Sequence, residues 1–237
     1  MIEVIFFDAA GTLFHLPRGV GYHYREVALR HGCEIGERDL HGAFAAVWKT
    51  MPPRPATRAP RADDDRGWWR ELVGRALERC AVAAGALDRE VYFSELYAEF
   101  ARPGVWELFP EVRAVLEELQ PQCRLAIISN FDGRLRTILR HLDLARYFQP
   151  IVISSEVGAD KPDPWIFQHA LERAGVAPGA ALHVGDDPAR DWAAAEAAGL
   201  RCFRLARPAN SLRDLPAWLA AHLEGKLPAS PTNPPAF

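Results

Sequence analysis

The sequence predicts an α/β fold: a Rossmann-like three-layer core around a central parallel sheet, with an all-helical cap domain inserted near its start. Two observations carry this. Short apolar runs alternate with helix-period stripes through the second half of the chain, and a long stretch near the N-terminus keeps helical spacing almost throughout. Such alternation puts helices on both faces of a parallel sheet and gathers ligands at the carboxyl ends of its strands.

The first apolar run, Val4-Ile5-Phe6-Phe7, has the length of a buried strand. It ends in Asp8-Ala9-Ala10-Gly11-Thr12-Leu13, a carboxylate followed by a turn that glycine permits. From about Leu16 to Arg102 no strand pattern convinces. Val20, Tyr24, Val27 and Ala28 keep helical spacing, as do Leu72, Ala76, Arg79 and Cys80. Residues 17–102 therefore read as the helical cap domain, with hinges near 16–19 and 102–104. Inside it, residues 51–66 are rich in proline, arginine and aspartate and read as a mobile loop. Its Arg54, Arg58 and Arg61, beside Asp63, Asp64 and Asp65, read as a solvated, self-neutralising segment, and Trp68 and Trp69 as core.

Beyond the cap, strands are expected at Leu125-Ala126-Ile127-Ile128, Ile151-Val152-Ile153, Ala181-Leu182-His183-Val184 and Cys202-Phe203-Arg204-Leu205. Between them run the stripes Val112, Val115, Leu116, Leu119; Leu135, Ile138, Leu139, Leu142; and Ile166, Phe167, Ala170, Leu171, Ala174. Residues 1–16 and 103–225 form the core domain, and the proline-rich 226–237 reads as a disordered tail.

Composition narrows the function. A chain of 237 residues, 49% hydrophobic and 25% charged, is that of a soluble globular protein. A net charge of −3 without a basic cluster argues against nucleic acid as a partner. No apolar stretch approaches the ~18 residues of a membrane span, and the chain opens on a strand, so neither a membrane nor a signal peptide is expected. Cys33, Cys80, Cys123 and Cys202 lack metal or redox spacing and read as free thiols of a reducing compartment, which suggests a cytoplasmic protein. A monomer and a homodimer are both open.

Four segments fall at the ends of the expected strands: Asp8; Ser129-Asn130; Lys161 in Asp160-Lys161-Pro162-Asp163-Pro164; and Gly185-Asp186-Asp187 with Asp191 beyond. Each has a use if Asp8 attacks phosphorus. A carboxylate nucleophile divides one displacement into two through an acyl phosphate. Ser129 and backbone N–H groups hold phosphoryl oxygens, and Lys161 opposes the charge that develops. Asp8 and Asp186 are hard oxygen donors suited to Mg²⁺. Asp187-Pro188 and Asp163-Pro164 are N-cap and N1-proline pairs, so Asp187 reads chiefly as a helix cap, with a metal role as the alternative.

Together these motifs resemble the haloacid dehalogenase-like hydrolase superfamily, in the branch with a helical cap inserted after the first motif, from Ile2 to about Leu219. The resemblance implies a Mg²⁺-dependent, phosphatase-type hydrolase of small phosphorylated metabolites. Asp8 would be the nucleophile, Ser129 the phosphate-binding hydroxyl and Lys161 the charge neutraliser. Asn130, Gly11 and Thr12 would line the substrate. Asp8, Asp186 and the Ala10 carbonyl would hold the metal, with Asp191 and Asp187 as supporting acids.

The chain departs from that family at Ala10, where its phosphatases carry an aspartate that protonates the leaving group and then activates water. Three readings follow. The enzyme acts on substrates that need no strong acid there, with His15 one candidate substitute. Or it is similar to the phosphonoacetaldehyde-hydrolase branch, with Lys49 as a Schiff-base lysine. Or it is a non-catalytic member that binds a ligand or partner.

Overall fold

The computed structural model describes residues 1–83 and 85–223, so the proline-rich tail expected at 226–237 lies outside the described residues. In chain order the elements are β1 (Val4–Phe7), β2 (Phe14–His15), α1 (Gly19–Arg30), α2 (Glu37–Trp48), α3 (Arg66–Arg79), α4 (Arg89–Glu99), β3 (Glu107–Leu108), α5 (Val112–Leu119) and β4 (Arg124–Ser129). They continue with α6 (Arg134–His141), β5 (Phe148–Ile153), α7 (Ser154–Val157), α8 (Pro164–Ala174), β6 (Ala181–Gly185), α9 (Ala194–Ala197), β7 (Arg201–Arg204) and α10 (Leu215–Leu223).

A five-stranded sheet runs in the order β5-β4-β1-β6-β7, with every pairing parallel. β1 is its middle strand, which is why all four of its residues are apolar and buried. Successive side chains of a strand point to opposite faces. Ile5 and Phe7 accordingly join the core under α5, α6 and α10, while Val4 and Phe6 join the core under α8 and α9. Those two cores make the three layers. The register pairs Phe7 with Ile127 of β4 and with Val184 of β6. Asp8, Ser129 and Asp186 therefore emerge side by side from three adjacent strands.

The helices α1 to α4 leave the core after β2, return before β3, and close on an apolar cluster of their own around Leu40, Leu72, Leu77, Tyr92 and Phe93. Tyr92 donates its hydroxyl to the Tyr24 carbonyl at 3.0 Å inside that cluster. The stems of the insertion are joined by a short antiparallel pair, β2 with β3, too brief to leave a pattern in the sequence. Among the described residues no helix is long and apolar enough to cross a membrane.

The loop between α2 and α3 corrects the expectation of a mobile, solvated segment. It is strapped onto the core. The N–H groups of Thr57 and Arg58 both donate to the Gly158 carbonyl, at 2.8 and 3.1 Å, and Arg61 N–H donates to the Ser155 carbonyl at 2.8 Å. Asp64 accepts from Gly133 N–H at 2.8 Å and from the Ser155 hydroxyl at 2.5 Å. A Cβ on Gly158, at φ +71°, would stand 2.1 Å from the Ala59 carbonyl oxygen, so only glycine lets the strap this close.

Arg54 and Arg61 are not solvated either. Their side chains are 8% and 5% exposed, and both reach Asp65 on the loop and Asp160 on the core. Of the three loop arginines, Arg58 alone is exposed. Breaking a buried pair from one side strands charge, so Arg61→Ala is expected to cost about 3 kcal/mol. The check is the urea midpoint at unchanged slope; an unmoved midpoint would mean that the strap adds nothing to stability.

Candidate active site

The site opens at the carboxyl end of the sheet, where Asp8 follows β1. Its Oδ1 accepts from Lys161 Nζ at 2.7 Å and from the Ser129 hydroxyl at 3.2 Å. Lys161 lies in the loop before α8, and its Nζ also meets Asp191 Oδ1 at 2.5 Å. The lysine is 3% exposed. Burial works against its ammonium, but Asp8 and Asp191 outweigh that and hold its pKa above the ordinary lysine value. It is thus a fixed cation beside the carboxylate.

Asp191 is what keeps that cation in place. It sits in a π-helical turn (Pro188–Ala193) leading into α9, and both its oxygens are engaged. Oδ1 meets Lys161 and His183 Nε2, the latter at 2.9 Å, and Oδ2 accepts from Asp187 N–H at 3.0 Å. Burial pushes its pKa up, yet Lys161 and the His183 hydrogen bond hold the carboxyl well below the usual range. His183 is fully buried on β6, and burial lowers its pKa, so the neutral ring donates from Nε2. The sequence reading missed His183. A histidine inside an otherwise apolar strand was the available signal, since a buried polar group needs a partner.

Asp186 follows β6 and is exposed toward the opening. Thr12, itself fully buried, points its hydroxyl at Asp186 Oδ1, 3.3 Å away. Gly11 has φ +92°, and a Cβ there would stand 2.5 Å from Asp186 Oδ2. Gly11 is therefore what allows the first motif to pass beside this carboxylate.

Asn130 spends its amide on the lysine loop, donating to the Lys161 carbonyl at 2.8 Å and accepting from Lys161 N–H at 2.6 Å. Asp187 caps the following helix through Ala189 N–H and Arg190 N–H, at 2.9 and 2.8 Å. It also pairs with the Arg190 guanidinium at 2.7 Å.

Above the carboxylates a cavity of about 500 Å³ runs between core and insertion, with Asp8, Ala10, Lys161 and Asp186 at its floor. Trp69 corrects the reading as core, because it lines this cavity. Its indole N–H donates to Asp132 at 2.8 Å, and Asp132, fully buried, also holds Arg134 through both oxygens. Arg134 then lies 3.6 Å over the Tyr97 ring, joining core to insertion. Trp68 turns away and donates to the Pro52 carbonyl. Lys49 lines the cavity but is exposed, so nothing desolvates its amine for Schiff-base chemistry. His15 is stacked on Phe109 at 4.7 Å and is not among the cavity-lining residues.

The donor set fits a hard divalent cation. Asp8, Asp186 and Asp191 each offer an oxygen within 4.8 Å of the others, and Lys161 is their one cationic partner in ion-pair range. Burial first, with Asp191 and Asp186 adding repulsion against the pull of Lys161, pushes the Asp8 pKa up to about 6. Burial and Asp191 likewise raise Asp186. Excess negative charge on hard oxygens is the chemistry Mg²⁺ offsets. Asp191 is fully engaged, which leaves Asp8 and Asp186 free to bind it.

A family model described as haloacid dehalogenase-like hydrolase matches residues 2–199. The chain belongs to that family. This haloacid dehalogenase-like hydrolase is 32% identical over 207 residues to haloacid dehalogenase-like hydrolase domain-containing protein 3 of Mus musculus, covering 86% of this chain and 82% of that one. It is 38% identical over 164 residues to a phosphoserine phosphatase of Thermus thermophilus, covering 68% of this chain and 63% of the relative. Its structure resembles a crystal structure of 2-haloacid dehalogenase from Pseudomonas syringae, with TM-score 0.64 and 27% identity over 94% of this chain and all of the other.

Proposed function

We propose that this hydrolase is a Mg²⁺-dependent phosphatase acting on a small phosphorylated molecule through an aspartyl phosphate on Asp8. The observation that carries the reading is the carboxylate of Asp8 at the cavity floor, 2.7 Å from the buried ammonium of Lys161. In the first step Asp8 attacks phosphorus and the bond to the leaving oxygen breaks. In the second, water attacks the same phosphorus and frees Asp8. Ser129 and the N–H groups of the first motif bind the phosphoryl oxygens, and Lys161 opposes the charge that grows on them.

Asp191 and His183 hold Lys161 in register, and Asn130 fixes its loop. Asp8, Asp186 and the Ala10 carbonyl are the residues that would hold Mg²⁺, which supplies charge neutralisation at the phosphoryl group when bound. Residues 17–102 act as the cap over a core of 1–16 and 103–225. The relative named a phosphoserine phosphatase supports phosphoryl chemistry.

The test is turnover of 4-nitrophenyl phosphate with and without Mg²⁺, since that leaving group departs without protonation. Activity that EDTA removes and Mg²⁺ restores is expected. A well-folded protein that turns over nothing would favour a ligand-binding role instead.

A further inference from the structure

We infer that the substrate of this site is a phosphate monoester of an aromatic alcohol, whose ring lies in the cavity between insertion and core. The inference rests on the phosphatase reading above and specifies its leaving group. Three independent features converge on it.

The first is the wall. Phe44, Trp48, Trp69, Phe100, Trp106 and Phe131 all line the cavity, and all are only partly buried. Phe44 stacks on Trp48 with centroids 5.8 Å apart, and Trp48 leans on Trp69 at 5.9 Å. Trp106 meets Phe131 edge-on at 6.1 Å. Aromatic surface kept open to a cavity, rather than closed into the core, is suited to stacking against another ring.

The second is how little polar capacity remains above the catalytic floor. The Nε and Nη2 groups of Arg134 are taken by Asp132, and its Nη1 donates to the Tyr97 carbonyl at 3.1 Å. Arg190 is paired with Asp187. His41 and Lys49 are exposed at the rim. Tyr24 and Tyr97 also line the space, and burial raises both phenols, so they stay neutral. No unengaged buried charge in this wall matches an ammonium and a carboxylate as in phosphoserine, and no set of polar side chains matches a sugar. Stranding such groups against apolar walls is costly.

The third is Ala10 at the floor. Without a positioned acid the leaving oxygen must depart with its electron pair as an anion and take its proton from solvent afterwards. A phenol ionises near pH ~10, as tyrosine does, well below an aliphatic alcohol. Wall and floor thus select the same leaving group for separate reasons: the ring fits the cavity, and the phenolate needs no acid. The phosphorus bond to the aryl oxygen breaks as the Asp8 bond forms, and water completes the cycle.

The experiment measures kcat and KM for four phosphates: 2-naphthyl phosphate, phenyl phosphate, phosphoserine and acetyl phosphate. Acetyl phosphate also leaves without protonation but carries no ring, so it reports the phosphoryl-transfer machinery alone. Burying an aromatic group is expected to place the KM for 2-naphthyl phosphate ~10–100-fold below that for acetyl phosphate. Its kcat/KM should exceed that for phosphoserine by on the order of 10³-fold, the acid and the pocket acting together.

Ala45 lines the same cavity and is partly buried, so Ala45→Trp fills it. The ratio of kcat/KM for 2-naphthyl over acetyl phosphate should fall about tenfold in that variant, which a general loss of fold would not produce. Turnover of acetyl phosphate with no KM advantage for the naphthyl ester overturns the inference and leaves the phosphatase reading standing. No turnover of any of the four overturns that reading itself.

Discussion

Asp8→Asn is expected to abolish turnover of 4-nitrophenyl phosphate, by on the order of 10⁴-fold or more, while leaving the protein folded. The amide has nearly the shape of the carboxylate and keeps an oxygen for the Ser129 hydroxyl. Lys161 retains its contact with Asp191, so no buried cation is left unpaired. What disappears is the anionic oxygen that attacks phosphorus, together with one of the two carboxylates that would hold Mg²⁺. A thermal melt within a few degrees of wild type would therefore accompany the loss of activity. The rise in melting temperature that Mg²⁺ gives the wild type should shrink in the variant, a readout that does not depend on turnover. Substantial residual activity in a metal-replete, folded Asp8→Asn protein would remove Asp8 as the nucleophile.

The parts of this site that could be read in advance are those written on single strands. β1, β4 and β6 are runs of apolar residues buried on both faces, and each ends at the polar residue that faces the cavity floor. The parts that escaped depend on residues far apart in the chain. Arg54 and Arg61 are 106 and 99 residues from Asp160, and nothing local distinguishes a buried pair across that distance from a charged surface loop. Proline, arginine and aspartate in one segment describe solvated loops and docked straps equally well. The Trp69–Asp132–Arg134 network is of the same kind, since it forms only where insertion and core meet. His183 was closer to legible, eight residues from Asp191, but its meaning depends on the π-helical turn that brings Asp191 back to β6.

The strap also bears on how insertion and floor are linked. Asp160, which receives Arg54 and Arg61, immediately precedes Lys161. Ser155 and Gly158, which receive the loop's main chain, lie on the same stretch between β5 and α8. One segment of the core thus carries the catalytic cation and anchors the insertion. A change that loosens the strap acts on the setting of Lys161 as well as on the cavity roof.

Ala10→Asp is expected to broaden the enzyme toward alkyl phosphates. Ala10 lines the cavity two residues beyond Asp8 and is partly exposed, so a longer side chain has room toward the leaving-group side. The new carboxyl would stand near Asp8, Asp186 and Asp191, and like charges raise a carboxyl pKa. That favours the protonated form near neutral pH, the form a general acid needs. A positioned acid is worth ~10²–10⁴ in rate, most for leaving groups that ionise with difficulty. Phosphoserine or another alkyl phosphate should accordingly gain within that range in kcat, while 4-nitrophenyl phosphate, whose leaving group needs no proton, should move little. The two substrates must separate for the argument to hold. Equal gains on both would mean that the added carboxylate acts on metal or phosphate binding, and no gain on either would mean that residue 10 is not what restricts the leaving group.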